Sequence, residues 1–191
     1  MIHTFGDSHS CWNIAGVYVH HIGPVLCYSF GHGTSNRNIN ISSYNIKSGD
    51  SVIFCFGEID CRCHVHKHII EKTYEDIIDE IVDKYFDAIR ENIFQFSNLK
   101  TFVYNVVPPV QKHNTAENKE YPYRGSDEER KQYVLYFNQR LKKKSTESGF
   151  IFFDVHDKYV DENGFLNKLF SDGHVHIKNE IFIKEFLEAN K

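Results

Sequence analysis

No stretch of this 191-residue sequence approaches the roughly 20 apolar residues that a membrane-spanning helix needs, and no internal repeat or low-complexity tract interrupts it. It also lacks an excess of basic charge. Its 22 Lys and Arg stand against 26 Asp and Glu, a net charge of −4 at pH 7, which excludes a broad phosphate-binding surface and a nucleic-acid partner. The one basic block, "RLKKKS" at 140–145, falls where a helix should end, and solvated side chains facing the negative end of the helix dipole account for it. The five cysteines, at 11, 27, 55, 61 and 63, form an odd set without a disulfide framework, so reduced thiols are expected. A strand pattern begins at once and leaves no room for a charged leader followed by an apolar stretch; the expectation is a soluble, cytoplasmic protein with no membrane partner.

What is present is a globular composition, 41% hydrophobic and 15% aromatic, at a length that fits one domain over 1–191. Short apolar runs read as strands: "MIHTF" (1–5), "VYVHHI" (17–22), "SVIFCF" (51–56), "TFVYNVV" (101–107) and "FIFFDV" (150–155). Between the third and fourth, residues 74–94 repeat apolar positions at helical spacing, with Thr73 and Asp76 as an approximate capping box. A second helix is expected from Ser126, boxed by Glu129, to near Gly149, and a last one from about Asn179 to Ala189. Strands alternating with helices imply an α/β fold: a three-layer α/β/α sandwich, flavodoxin-like, around a mainly parallel sheet of about five strands. Sites in such sheets form at the carboxyl ends of the strands, which puts "GDSHS", "GEIDCR" and the segment after Val107 on one rim.

The first of these, "FGDSHSCW" (5–12), has two compatible readings. Asp7 or Ser8 can cap a helix beginning near Ser10, and Ser8 can be a nucleophile held where a strand turns abruptly. A serine hydroxyl needs an adjacent base, itself oriented by a third group, and Asp172 with a histidine of "DGHVH" can supply both.

Taken together, "FGDSHS", "FGEIDCR" (56–62) and "FSDGHVHI" (170–177) resemble the SGNH/GDSL hydrolase family over nearly the whole chain, and more narrowly a "FGEIDCR"-containing branch of it. The resemblance implies Ser8 as nucleophile, a glycine and an asparagine as oxyanion contacts, and a late Asp/His block. In the family the histidine usually follows the aspartate by three positions, but position 175 is Val. The candidates are His174 and His176; His176 is preferred because aliphatic Ile177 follows it, as Leu commonly follows the family histidine. The G-x-N-D block becomes Gly57-Glu58-Ile59-Asp60, so the asparagine donor is missing, a loss of about 2.7–4 kcal/mol in transition-state stabilisation if nothing replaces it. The backbone of Ser8 and of Gly31 or Gly33 offers donors, and Arg62 is the candidate replacement, with a salt bridge to Glu58 or Asp60 as its competing role. Asp7, Glu58 and Asp60 are expected to brace the Ser8 turn.

Two further stretches carry weaker signals. In "CRCHVHKH" (61–68), Cys61, Cys63, His64, His66 and His68 are all possible zinc ligands, but no second ligand pair follows at finger-like spacing, and small buried thiols are preferred over a metal. In the proline-punctuated segment 108–125, Tyr121, Tyr123 and Arg124 offer aromatic faces and a cation to a polar substrate such as a sugar; an ordinary surface loop is the competing reading. The expected activity is serine-dependent hydrolysis of a small ester or acylated carbohydrate, needing no cofactor or metal. An O-acyltransferase with the same triad and a non-catalytic glycan-binding module are the alternatives.

Overall fold

A computed structural model describes residues 1–37, 39–114 and 119–190. The described residues form strands β1 (Ile2–Gly6), β2 (Val17–His21), β3 (Ser51–Cys55), β4 (Lys100–Tyr104) and β5 (Ile151–Phe153). The helices are α1 (Cys27–Gly31), α2 (Val65–His68), α3 (Tyr74–Ile93), α4 (Asp127–Ser148), α5 (His156–Tyr159) and α6 (Ile181–Ala189). All strand pairs are parallel and the order is β2-β1-β3-β4-β5, as expected of a flavodoxin-like sandwich. The chain leaves β1 for β2 on one side, then crosses to β3 on the other. That reversal opens a crevice at the carboxyl end of β1, where Ser8 begins the next turn.

Both faces of the sheet are covered, which is why its strands read as continuous apolar runs. Val52 and Phe54 of β3 point into one core with Phe30, Val65, Tyr85, Phe86 and Phe137, contributed by α1 to α4. Ile53 and Cys55, alternate residues of the same strand, point into the other with Trp12, Tyr159, Ile183 and Leu187. α3 is capped by the Thr73 hydroxyl, which accepts the Asp76 N–H at 3.1 Å. α4 has a full box: Glu129 N–H donates to Ser126 Oγ at 3.2 Å, and Ser126 N–H donates back to Glu129 Oε2 at 2.7 Å.

Several expected boundaries shift, each for a visible reason. β4 stops at Tyr104 rather than Val107 because both peptide groups of Val106 are taken by Asn138 of α4, at 2.7 and 2.9 Å. β5 stops at Phe153 because the next rungs go to Asn105, whose Oδ1 accepts the Val155 N–H at 2.8 Å. α6 begins at Ile181, two residues late, since Lys178 and Asn179 both donate to the Phe170 carbonyl. The basic block does not merely face solvent: Arg140 lies 2.6 Å from Asp79 and Lys144 2.7 Å from Asp83, tying α4 to α3.

Candidate active site

β1 ends at a glycine for want of space. A Cβ on Gly6 would stand 2.1 Å from the Cys55 carbonyl oxygen, so only a bare backbone lets the two strands stay adjacent. The chain then turns. Asp7, buried, accepts the His9 N–H at 2.9 Å, and its own carbonyl takes the Ser10 N–H and hydroxyl at 3.1 and 2.7 Å. A single 3-10 turn, Ser8–Ser10, results rather than the expected helix from Ser10. Its exit is fixed when Trp12 Nε1 donates to the His9 carbonyl at 2.8 Å. Ser8 sits exposed on this turn, and its N–H has no hydrogen-bond acceptor among the described residues.

The second half of the site comes from the loop before α6, which Ser171 and Ile177 close as an antiparallel bridge. Asp172 Oδ1 accepts the N–H groups of His174 (2.7 Å) and His176 (3.3 Å), and Oδ2 lies 2.9 Å from His176 Nδ1. His176 Nε2 lies 2.9 Å from Ser8 Oγ. With Nδ1–H donated to Asp172, Nε2 is left to accept the serine hydroxyl proton. His174 is exposed and enters the turn through its backbone alone among the described residues. Burial works against the charge of Asp172, but the hydrogen bonds from His176 and His174 outweigh it and hold the carboxyl below its ordinary value. Burial and then the neighbouring His9 hold the His176 imidazole below the ordinary histidine value, against the pull of Asp172.

"GEIDCR" supplies the floor. Gly57 has φ +121°, and a Cβ there would meet Val106 Cγ2 at 2.8 Å and the Phe137 ring at 3.1 Å, so both the backbone and the packing require glycine. Ile59, at the missing asparagine's position, is buried. Glu58 takes Arg62 in a two-point ion pair, Nε to Oε1 and a terminal nitrogen to Oε2, both at 3.0 Å. Arg62 therefore makes the salt bridge that was its competing role, and its other terminal nitrogen donates to the Tyr121 carbonyl at 3.3 Å. Asp60 does not brace the Ser8 turn. It is fully buried and caps the start of α1, accepting the N–H groups of Cys27 (2.6 Å) and Tyr28 (3.0 Å), with burial pushing its carboxyl up to about 7.

Gly31 and Gly33 also serve elsewhere. A Cβ on Gly31 would stand 2.8 Å from the backbone of Lys84 and Tyr85, so this glycine lets α1 lie against α3, and the Gly33 N–H is spent on the Phe30 carbonyl. Both line a polar cavity of about 410 Å³ with Arg37, Glu91 and Asn92, which none of Ser8, Asp172 and His176 borders. Residues 115–118 of the expected lid lie outside the described residues. Its Tyr123 is buried rather than offered to a ligand, with the guanidinium carbons of Arg62 and Arg130 at 5.7 and 5.0 Å from its ring centre. Arg124 N–H donates to the Arg62 carbonyl at 3.0 Å and Tyr121 Oη to the Pro24 carbonyl at 3.2 Å; Arg124's side chain is exposed. In "CRCHVHKH", His64 and His68 do share a face, rings 4.6 Å apart, while Cys61 belongs to the core; no three potential ligands gather among the described residues.

One neighbour of Ser8, though inside "FGDSHS", carries no role in the motif reading. His9, buried behind Ser8, places Nε2 3.4 Å from Glu58 Oε2 and its ring centre 4.9 Å from that of His176. Beside Ser8 a cavity of about 260 Å³ is walled by His9, Cys11, Trp12, Tyr104, Val107, His176, Ile177 and Ile183. Solved structures share this framework. A GDSL-like lipase from Bacteroides thetaiotaomicron superposes with a TM-score of 0.64 at 15% identity, covering 99% of this chain and 86% of its own. The fold is that of the GDSL-like hydrolases. Phospholipase A1 from Streptomyces albidoflavus has a TM-score of 0.63 at 10% identity, covering 100% and 98% of the two chains. An extracellular lipase from Streptomyces rimosus has a TM-score of 0.58 at 13% identity, covering 100% and 99%. No protein-family model and no curated protein matches the sequence. In this chain Ser8 lies two residues past the end of β1, the Asp172–His176 pair lies before α6, and Ile59 stands where the sequence resemblance implies an asparagine. No helix among the described residues is long and apolar enough to cross a membrane.

Proposed function

We propose that this protein is a serine-dependent acyl-ester hydrolase in which Ser8 is the nucleophile, His176 the base and then acid, and Asp172 the residue that orients it. The single observation behind this reading is the unbroken chain Ser8–His176–Asp172, two contacts of 2.9 Å each. Ser8 Oγ attacks the ester carbonyl carbon while its proton passes to His176 Nε2. The tetrahedral intermediate collapses, the C–O bond to the alcohol breaks, and the alcohol leaves with the proton from His176. Water then attacks the acyl-serine, gives a proton to His176 and releases the acid, with the proton returning to Ser8 Oγ. The unbonded N–H of Ser8 is one donor for the oxyanion.

The cavity supports a small acyl group. Its walls at Trp12, Tyr104, Val107, Ile177 and Ile183 are apolar, and about 260 Å³ sits just under the usual size range of small-ligand pockets. We take the substrate as a small ester, such as an O-acetyl group on a carbohydrate. The test is labelling by a fluorophosphonate together with turnover of p-nitrophenyl acetate and of acetylated sugars. Label on the Ser8 peptide with turnover that is lost in Ser8→Ala is the expected result; a chain that a control hydrolase outperforms by never labelling at all sinks the proposal. Release of acetate into water rather than onto an added sugar separates hydrolysis from acyl transfer.

A further inference from the structure

His9 lies within "FGDSHS", where the sequence gives it no role of its own, yet it is a buried titratable side chain directly beside Ser8. It is buried at 8% exposure and enclosed by charge from three directions. Asp7 precedes it on the same turn, Glu58 approaches from the loop after β3, and Arg62 stands behind Glu58; His176 faces it from the loop before α6. The count of formal charges is informative. Burial pushes the Asp7 carboxyl up to about 6, still below neutral pH; with Asp7 and the largely enclosed Glu58 both ionised against one buried guanidinium, a fourth, positive member brings the group to neutrality. His9 is the fourth member. Burial opposes its protonation, but Glu58 and Asp7 outweigh burial and hold the imidazole above the ordinary histidine value. Glu58 is itself held below its ordinary value, since Arg62 and His9 outweigh the cost of its burial.

We propose that His9 is a positioning residue of the Ser8 centre, clamped against Glu58 as the imidazolium so that a fixed positive charge faces the His176 ring and the cavity where the ester oxygen gains negative charge. The inference rests on the esterase reading for its catalytic consequence, but not for the charge itself. Two effects follow. Repulsion from His9 favours the neutral, proton-accepting form of His176, and Asp172 on its far side offsets the same repulsion once the proton has moved. The positive potential also favours the oxyanion, partly standing in for the donor lost at Ile59.

The size of the effect is bounded by Coulomb's law. A unit charge 4.9 Å from the His176 ring moves that group by about 0.6 pH units at the dielectric of water and about 2.5 at an effective dielectric of 20. Two variants test it: His9→Gln, which keeps a donor toward Glu58 without charge, and His9→Leu, which keeps the packing alone. In the whole chain, imidazole NMR titration should find His9 protonated at pH 7 and His176 neutral, and either variant should raise the His176 midpoint by an amount within that range. In kinetics, the acid limb of kcat/KM should move up by the same amount, with kcat falling at least tenfold and KM little changed. A neutral His9 at pH 7, or a His176 midpoint that does not move in a folded His9→Gln chain, overturns the inference. If wild type neither turns over esters nor labels at Ser8, the esterase reading fails, while the NMR titration still decides the charge on His9.

Discussion

Ser8 and Asp7 are neighbours on one turn, and the structure assigns them opposite consequences when lost. Ser8 is exposed, and among the described residues its hydroxyl is hydrogen-bonded to His176 alone, itself partly solvated. Removing that hydroxyl leaves the cap intact, because Asp7 continues to accept the His9 N–H. Ser8→Ala is expected to change folding stability by no more than about 0.5 kcal/mol, which for a domain of this size is a shift in Tm of about 1–2 °C. Its ester turnover should nonetheless fall by about 10⁴-fold or more. Asp7→Ala reverses the pattern. It deletes a fully buried cap and strands the His9 N–H, a combined cost of about 2 kcal/mol, or a Tm lower by about 4–8 °C. Differential scanning calorimetry beside a p-nitrophenyl acetate assay separates the two. A Ser8→Ala chain that loses more than about 4 °C, or that keeps a tenth of the activity, shows that the hydroxyl holds the turn together instead of reacting.

His176→Ala should be as inactive as Ser8→Ala, whereas His174→Ala, whose ring reaches no partner among the described residues, should keep most of its turnover in the same assay. Asp172→Asn should lower kcat by about 10²–10⁴-fold, less than for a fully enclosed triad because the carboxylate is partly open to water. With His176 held below the ordinary value, the acid limb of the wild-type pH–rate profile should lie below about 6.5; a limb above it refutes the burial argument. Asp60 gives a stability signature of the opposite sense: its folded-state value is raised, so its contribution is full below about 4, where the unfolded carboxyl titrates, and is lost as pH rises through about 7. Melting temperatures of wild type should therefore drop between pH 5 and pH 8, and that drop should shrink in Asp60→Asn.

The sheet was legible because it is buried on both faces: Val52 to Cys55 alternate between two cores, yet every one of them is apolar, and such a run has few other uses. Helix starts were legible where the cap is local in sequence, as at Ser126 and Glu129. Strand ends were not. Asn138 and Asn105 terminate β4 and β5 by bonding peptide groups 32 and 50 residues away, and no local pattern announces such a pairing. Gly31 and Gly33 are hard to read for a similar reason: a glycine required for two helices to touch, as at 31, or one whose N–H closes a turn, as at 33, looks in sequence the same as one that frees a backbone N–H for a ligand. The Glu58–Arg62 pair carried a signal, the i,i+4 spacing, and that spacing favours the salt bridge once the segment is helical.

The irregular spacing of Asp172 and His176 has its explanation in how the loop is built. Four positions separate them, and the extra residue is absorbed because one carboxylate performs two tasks. Oδ1 gathers the N–H groups of His174 and His176 and so folds the loop, while Oδ2 is left facing the ring that the fold has delivered. Gly173, at φ +88°, supplies the left-handed backbone within this turn. The contact that separates the two histidines is made by the ring: His176 Nδ1 meets Asp172 Oδ2 at 2.9 Å, whereas His174 meets Asp172 through its backbone N–H. At Ile59, where the family resemblance implies an asparagine, the side chain is buried, and the charged groups behind the Ser8 turn are instead His9, Glu58 and Arg62, linked at 3.4 and 3.0 Å.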